Sequence, residues 1–274
     1  MFDVNVVIVN YKSKEKILQC LKSLFSDSQD FNLHITVVDN NSDDGIEKVL
    51  LNEYSNANLK FIKNDDNYGF AKAQNKGIKD VEARYHFVLN PDTVFISGQN
   101  VVKKMHDFME CNPKVGIAGP KIVYPDGNRQ NSCCRFPRFF QPLYSRTKLG
   151  KFGTGRKVAN EYFMNDFEHN ETIPVDWIMG AAMFVRNEAI KDVGMFDERF
   201  WMYAEDSDWC RRMWDKGWYV YYIHDVVIQH DHGRGSAKTP GIVKSLLKNK
   251  LARTHLKSWL QYMWKWRGTS RYYI

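Results

Sequence analysis

Four stretches of the chain hold side chains whose types and spacing could do chemistry. Glu205-Asp206-Ser207-Asp208 places three acids in four residues at the start of an expected helix. Acids suit the positive end of a helix. Crowded carboxylates also repel one another, which raises a pKa toward the range a general base needs. Asn90-Pro91-Asp92 follows the apolar run Phe87-Val88-Leu89. Proline halts strand pairing there, and Asp92 then stands at the sheet edge, where a hard divalent cation could bridge it to a diphosphate. The same three residues also make an ordinary turn. Asp39 closes Val37-Val38-Asp39 ahead of Asn40-Asn41-Ser42. It could accept hydrogen bonds from a base N–H or a ribose hydroxyl, or cap the helix after Gly45. His230-Asp231-His232-Gly233-Arg234-Gly235-Ser236 sets two imidazoles, a guanidinium and a hydroxyl among glycines. That mixture fits metal or phosphate contact.

These groups act together only if the fold gathers them. Val4–Val9 is a near-continuous apolar run, as in a strand buried on both faces. Ser13 can cap a helix whose Ile17, Leu18, Leu21, Leu24 and Phe25 keep a helical period. Strand Ile35–Val38, helix Ile46–Tyr54, strand Leu59–Ile62, turn Asn67-Tyr68-Gly69, helix Phe70–Lys79 and strand Tyr85–Leu89 continue the alternation. Repeated βα units predict an α/β fold, a mainly parallel sheet flanked by helices with right-handed crossovers. Ligands of such sheets bind beyond the carboxyl ends of the strands. Tyr11, Asp39, Asn67 and Asp92 all fall just past expected strand ends, so they should converge.

Further on, the pattern predicts helix Val101–Cys111 and a strand near Ile117. Residues 126–173 are irregular, rich in Pro, Gly, Arg and aromatics, and read as a long, partly mobile insertion. Order returns at Val175–Val185, then at Asn187–Val193, a helix from about Ala204 to Lys216, strand Trp218–Ile223, segment Val226–His230 and a helical tail from Gly241 to about Arg267. Several classes are excluded. Asn10-Tyr11-Lys12-Ser13 after the first strand lacks the glycines of a dinucleotide-binding turn. The chain has no phosphate-binding Gly-x4-Gly-Lys-Ser/Thr loop and no Gly-x-Ser-x-Gly nucleophile elbow.

Taken in order, a set of segments resembles the family 2 glycosyltransferases of the GT-A fold. Within them it is similar to the rhamnosyltransferase-like enzymes of bacterial surface-polysaccharide assembly. The segments are Val7-Ile8-Val9-Asn10-Tyr11, Val37 to Ser42, Asn67 to Gly77, Leu89-Asn90-Pro91-Asp92, Val175 to Ala182, Val193 to Glu198, Met202 to Asp208 and His230 to Ser236. The resemblance implies a Rossmann-like mixed sheet, a nucleotide-diphosphate sugar donor, a divalent cation (Mg2+ or Mn2+) and inverting displacement at the anomeric carbon. By position it implies that Val9, Tyr11 and Asp39 hold the nucleoside, with Asn67, Gly69, Asn75 and Asn90 lining the same donor site. Asp92 matches the metal-binding acid of the family's Asp-x-Asp motif, and His230 a histidine that holds the metal or pyrophosphate. Asp206 matches the catalytic base. Trp177, Gly180 and Ala181 would floor the space between donor and acceptor, and Glu205 would orient the acceptor. The chain departs from the family at Asn90, where the first acid of the motif is an amide. L-rhamnose from dTDP-rhamnose is the first donor implied. A UDP-hexose or UDP-galactofuranose transferase, or a nucleotide-sugar-binding scaffold without catalysis, is the alternative.

Composition sets the frame. The 274 residues are 43% hydrophobic and 14% aromatic, a globular balance that excludes disorder, collagen and coiled coil. No run of 18 apolar residues occurs, and Met1-Phe2-Asp3-Val4 does not open like a secretory signal. Five cysteines without CxxC spacing read as free thiols of a reducing compartment. Net charge is +7, yet residues 232–274 alone carry +10, leaving −3 for the rest. Residues 1–236 therefore read as the GT-A domain, with a nucleotide-sugar half (1–125) and an acceptor half (126–236). Residues 237–274 read as a basic amphipathic tail. That tail either packs on the domain or lies on an anionic membrane surface, where relatives meet a saccharide acceptor on a lipid diphosphate carrier. The expected place is cytoplasmic, peripheral on the inner face of the plasma membrane. No nucleic-acid-binding signature accompanies the basic charge, and the oligomeric state stays open.

Overall fold

The computed structural model describes residues 1–28, 31–139, 152–231 and 248–269. Its first half repeats strand and helix: β1 (Phe2–Asn10), α1 (Lys14–Asp27), β2 (Leu33–Asp39), α2 (Ile46–Glu53), β3 (Leu59–Lys63), α3 (Phe70–Asp80) and β4 (Ala83–Leu89). Then follow β5 (Thr93–Phe95), α4 (Val101–Cys111), β6 (Val115–Val123), β7 (Cys133–Cys134), α5 (Gly153–Tyr162), β8 (Ile173–Pro174) and β9 (Trp177–Ile178). The chain continues with β10 (Ala182–Arg186), α6 (Asn187–Val193), α7 (Glu205–Asp215), β11 (Tyr219–His230) and α8 (Lys250–Lys265). One nine-stranded sheet runs β3-β2-β1-β4-β10-β6-β11-β5, with β8 beside β11. Strands β1 to β4 pair in parallel. β10 inserts antiparallel between β4 and β6.

Helices cover both faces, which is why β1 reads as an unbroken apolar run. Its Val4, Val6 and Ile8 pack in one layer with Ile17, Leu21 and Leu24 of α1. Val7 points the other way, into a layer with Ala71 and Ile78 of α3. Each such side chain, fully buried, stabilises the fold by roughly 1.5–3 kcal/mol.

The structure departs from the sequence reading in two places. The two segments expected at Trp218–Ile223 and Val226–His230 form one strand, β11. A register shift between Ile223 and Val227 interrupts its pairing with β6 and produced the apparent break. Part of the expected mobile insertion is core: Gln130, Ser132, Cys133, Cys134 and Phe136 are buried, and β7 pairs with β9. Residues 140–151 of that insertion lie outside the described residues. All five cysteines are free.

The tail is helical over α8, capped by Asn249, whose side chain accepts from the Leu251 and Ala252 amides. The part expected at 241–247 lies outside the described residues. α8 docks on the domain. Ser258 Oγ donates to the Met202 carbonyl at 2.8 Å, and Lys265 Nζ reaches Asp197 and Asp208 at 2.7 Å each. Among the described residues no helix is long and apolar enough to cross a membrane.

α3 lies against the sheet through Gly77, where an added Cβ would stand 2.4 Å from Val7 Cγ1 and 3.1 Å from Val38 Cγ2. Gly77→Ala should therefore destabilise the fold by about 1–3 kcal/mol, the usual cost of overpacking. A lower urea midpoint at unchanged slope is the expected readout.

Candidate active site

The turn between β4 and β5 presents Asp92. The Asn90 carbonyl accepts from Thr93 Oγ1 at 2.9 Å and the Thr93 amide at 3.3 Å, which closes the turn. β11 pairs with β5 so that His230 sits opposite Thr93. His230 Nε2 lies 3.1 Å from Asp92 Oδ1 and 3.3 Å from Asn90 Nδ2. Behind the ring is buried Gln130. Its Nε2 donates to the His230 carbonyl at 2.5 Å, so its Oε1, 3.0 Å from Nδ1, accepts the ring proton. Nε2 is left to face the carboxylate, a contact that either a proton or a cation between the two atoms makes favourable.

The donor set fits a divalent cation. One carboxylate and one imidazole converge, with the imidazole oriented from behind. Among the described residues no group of three or more His, Cys, Asp or Glu could hold a metal. A cation held by these two groups would need its remaining ligands from water or a bound molecule. Burial works to raise the Asp92 carboxyl. The contacts with His230 and the Lys16 ammonium outweigh it and hold the acid below its ordinary value.

α7 presents the acids. Tyr203 and Ala204 just before it are left-handed, at φ 71° and 69°, a conformation that costs a residue with a Cβ. The three acids then separate. Asp206 Oδ2 accepts from the Gly180 amide at 3.0 Å and Oδ1 from the Ser207 amide at 2.8 Å. Glu205 is buried beside it, and its Oε2 has no partner. Burial raises both carboxyls, and the Asp206 charge pushes Glu205 well above its ordinary value. The proton the pair retains belongs on Glu205, because the amide donors stabilise the anion at Asp206. Asp208 faces away, bound to Arg212 Nε and Trp266 Nε1 at 2.9 Å and Lys265 Nζ at 2.7 Å.

One turn joins the two corners. The Gly180 amide holds Asp206, while the Ala181 carbonyl accepts from the Asn90 amide at 2.9 Å. Trp177, on β9, donates from Nε1 to the Arg135 carbonyl at 2.7 Å.

The remaining expected residues lie along the strand ends. Asp39 is buried and accepts from Asn10 Nδ2 at 2.7 Å and the Ser42 amide at 3.0 Å. Val9 is buried nearby, and Tyr11 is exposed. Asn67 Oδ1 accepts from the Gly69 amide at 3.0 Å and from Asn40 Nδ2 at 3.3 Å. Gly69 has φ +83°, and a Cβ there would stand 2.2 Å from the Trp201 carbonyl. That carbonyl accepts from the Phe70 amide at 2.8 Å, which fastens the Asn67–Gly69 turn to the segment leading into α7. Asn75 is placed differently from its expected lining role. Its amide is buried and engaged with the Phe196 backbone, at 2.9 and 3.0 Å, and Glu198 at 3.0 Å, so it brackets α3 to that segment. His232, Arg234 and Ser236 lie outside the described residues. The sequence reading missed Gln130 and Lys16, which reach the Asp92 corner. No local pattern distinguishes either of them.

The chain matches Glycosyl transferase family 2 over residues 5–174, and it belongs to that family. It is rhamnosyltransferase-like. It is 27% identical over 246 residues to N-acetylglucosaminyl-diphospho-decaprenol L-rhamnosyltransferase of Mycobacterium tuberculosis, spanning 86% of this chain and 78% of that one. To rhamnosyltransferase WbbL of Escherichia coli K12 it is 23% identical over 273 residues, spanning 95% and 92%. Among solved structures it resembles GalNAc-T7 with UDP, GalNAc and Mn2+ at TM-score 0.64 and 14% identity, covering 84% of this chain and 43% of that one. It also resembles the mannosyltransferase PcManGT from Pyrobaculum calidifontis with GDP-Man and Mn2+, at TM-score 0.60 and 15% identity, covering 96% and 72%. These likenesses establish the GT-A fold.

The Glu205 carboxyl yields a test. An acid that titrates higher in the folded chain contributes stability below its unfolded value of 4.5, and that contribution fades as pH rises toward the folded value. Glu205→Gln removes a group whose ionisation the fold resists. The variant should match wild type near pH 4 and melt progressively higher than wild type toward pH 8. A difference in melting temperature that does not vary with pH would contradict this assignment.

Proposed function

We propose that the protein is an inverting glycosyltransferase. It moves L-rhamnose from dTDP-rhamnose to a saccharide acceptor carried on a lipid diphosphate, in the synthesis of an O-antigen, capsule or cell-wall polysaccharide. The observation that carries this reading is the Gly180–Ala181 turn, which holds the Asp206 carboxylate on one side and the Asn90–Asp92 turn on the other. Asp206 takes the proton of the acceptor hydroxyl as that oxygen attacks the anomeric carbon. Asp92 and His230 would hold Mg2+ or Mn2+, which would supply positive charge against the leaving diphosphate so that it needs no proton. Glu205, neutral beside Asp206, orients the acceptor hydroxyl, and Trp177 floors the acceptor side. Val9, Tyr11, Asp39 and Asn67 hold the nucleoside. The choice of sugar rests on the relatives, two of which are rhamnosyltransferases.

The test separates binding from transfer. Melting curves with nucleotide sugars, with and without Mn2+, should rise most for dTDP-rhamnose with the metal, because a ligand of the folded state stabilises it. Asp92→Ala should lose the metal-dependent part of that rise. Asp206→Asn should keep the whole rise and lose about 10²–10⁴-fold in turnover, the usual worth of a general base. Near-normal turnover in Asp206→Asn would overturn the base assignment.

The tail reads as a membrane-surface helix as well as a packed one. Arg253, Leu256, Lys257, Leu260, Trp264 and Arg267 share the outer face of α8 and its C-terminal continuation, with Trp264 70% exposed. Cations set among apolar side chains at helical spacing suit an anionic lipid surface at the inner face of the plasma membrane. The protein should sediment with vesicles containing phosphatidylglycerol, and replacing Lys257, Leu260 and Trp264 together by Gln should release it. Sedimentation that ignores anionic lipid would count against this face.

A further inference from the structure

We infer that Lys16 is a built-in cation of the donor site, resting on Asp92 when no donor is bound and taking hold of the donor's diphosphate when one is. The inference rests on the proposed reading of Asp92 and His230 as the corner that receives a nucleotide-diphosphate sugar.

Lys16 lies in the first turn of α1, immediately past the end of β1, where the ligands of such sheets bind. Its Nζ stands 3.4 Å from Asp92 Oδ2 and 3.1 Å from Asp231 Oδ2. The two oxygens of Asp92 are thus divided. Oδ1 faces His230 Nε2, and Oδ2 faces Lys16. A cation held between Asp92 and His230 would therefore have the ammonium as its neighbour across one carboxylate. Asp231 stays beside Asp92, because its amide donates to the Asp92 carbonyl at 3.0 Å. Its side chain is 67% exposed and that of Lys16 42%, against 17% for Asp92. The Asp92 contact is long, at 3.4 Å, and its Lys16 end is open to water, so the ammonium can swing from Asp92 to a phosphate oxygen without crossing the core.

Charge gives the ammonium its task. Asp92 and a divalent cation together bear one formal positive charge, against two negative charges on the diphosphate of a nucleotide sugar. Lys16 would add one more at short range, as a flexible point charge suited to phosphate, while the Asp231 carboxylate beside it is 67% exposed and screened by water. With no donor present, the same ammonium competes with the metal for Asp92. The two effects have opposite signs, so one substitution separates them.

Titration calorimetry on wild type, Lys16→Met and Lys16→Arg would use Mn2+ alone, then dTDP and UDP in saturating Mn2+. Lys16→Met should bind Mn2+ alone more tightly and the nucleotide less tightly. Each change should be on the order of fivefold, the size of one partly exposed charge contact. Lys16→Arg should keep most of the nucleotide affinity. Lys16 is half-exposed on α1, so neither variant disturbs the core. If Lys16→Met binds the nucleotide as wild type does, the inference is overturned, even where the Mn2+ titration moves. If wild type itself binds neither nucleotide, the reading of the whole corner fails and takes this inference with it.

Discussion

The site depends on one turn, Met179-Gly180-Ala181, at the head of β10. β10 runs antiparallel to β4 in a sheet whose first four strands are parallel, and Ala182 is paired with Leu89. The beginning of β10 therefore lies at the end of β4, the edge where the parallel strands release their ligand-binding turns. No parallel strand could place its first residues there. The turn then uses both polar groups of the backbone. The Gly180 amide holds the Asp206 carboxylate and the Ala181 carbonyl holds the Asn90 amide. A side chain at position 180 would find ordinary contacts, 3.4 Å from Asp206 Cβ. What matters at this position is the N–H and the path of the chain.

From that anchor the three acids of α7 acquire different states. Two amides at Asp206 favour its charged form against the burial that raises it. Glu205 is pushed well above its ordinary value by burial and by the Asp206 charge, with no partner at its Oε2 among the described residues. Asp208 has left the site and holds Arg212, Lys265 and Trp266. That last contact ties α8 to the helix that presents Asp206. Charge sharpens the reading of the tail. The net +10 of residues 232–274 is a count along the chain, but Lys265 is turned inward on Asp197 and Asp208. Asp197 is held well below the ordinary carboxylate range: burial opposes this, and its bonds to Arg199 and Lys265 prevail. The same helix thus fastens one face to the catalytic domain and leaves a basic, apolar face outward.

The βα repeats and the strand ends were legible because burial on both faces of a sheet writes an apolar run into the chain, as in Val4–Val9. Asp39 closes β2, and Asn67 and Asp92 follow β3 and β4, so the parallel pairing puts all three at one edge of the sheet. Less was legible where one polar residue serves another across the sheet. Gln130 lies 100 residues from His230 and sits in a stretch without periodicity. Lys16 lies 76 residues from Asp92 and stands among other lysines of an amphipathic helix. Asn75 shows the converse. Its type and place fit a donor pocket, yet its whole amide is engaged with the Phe196–Glu198 segment. A sequence names the chemistry a side chain is capable of. Which partner it meets is set by chain geometry at distances that no local pattern records.

Asn90 shows how such partners alter a site. An amide there removes one negative charge from the metal corner, and its Nδ2 turns toward His230 instead. Among the described residues this corner would offer a cation one carboxylate and one imidazole, with Lys16 already resting on that carboxylate. Such a corner holds a divalent ion weakly by itself, because most of the coordination shell must come from elsewhere. Under the proposed reading, a diphosphate would supply the missing oxygens and offer the ammonium a better partner than Asp92. Cation and donor would then bind as one unit, each raising the affinity for the other, as reciprocal linkage requires. Loss of the nucleotide would strip the ion of its oxygens and return Lys16 to Asp92.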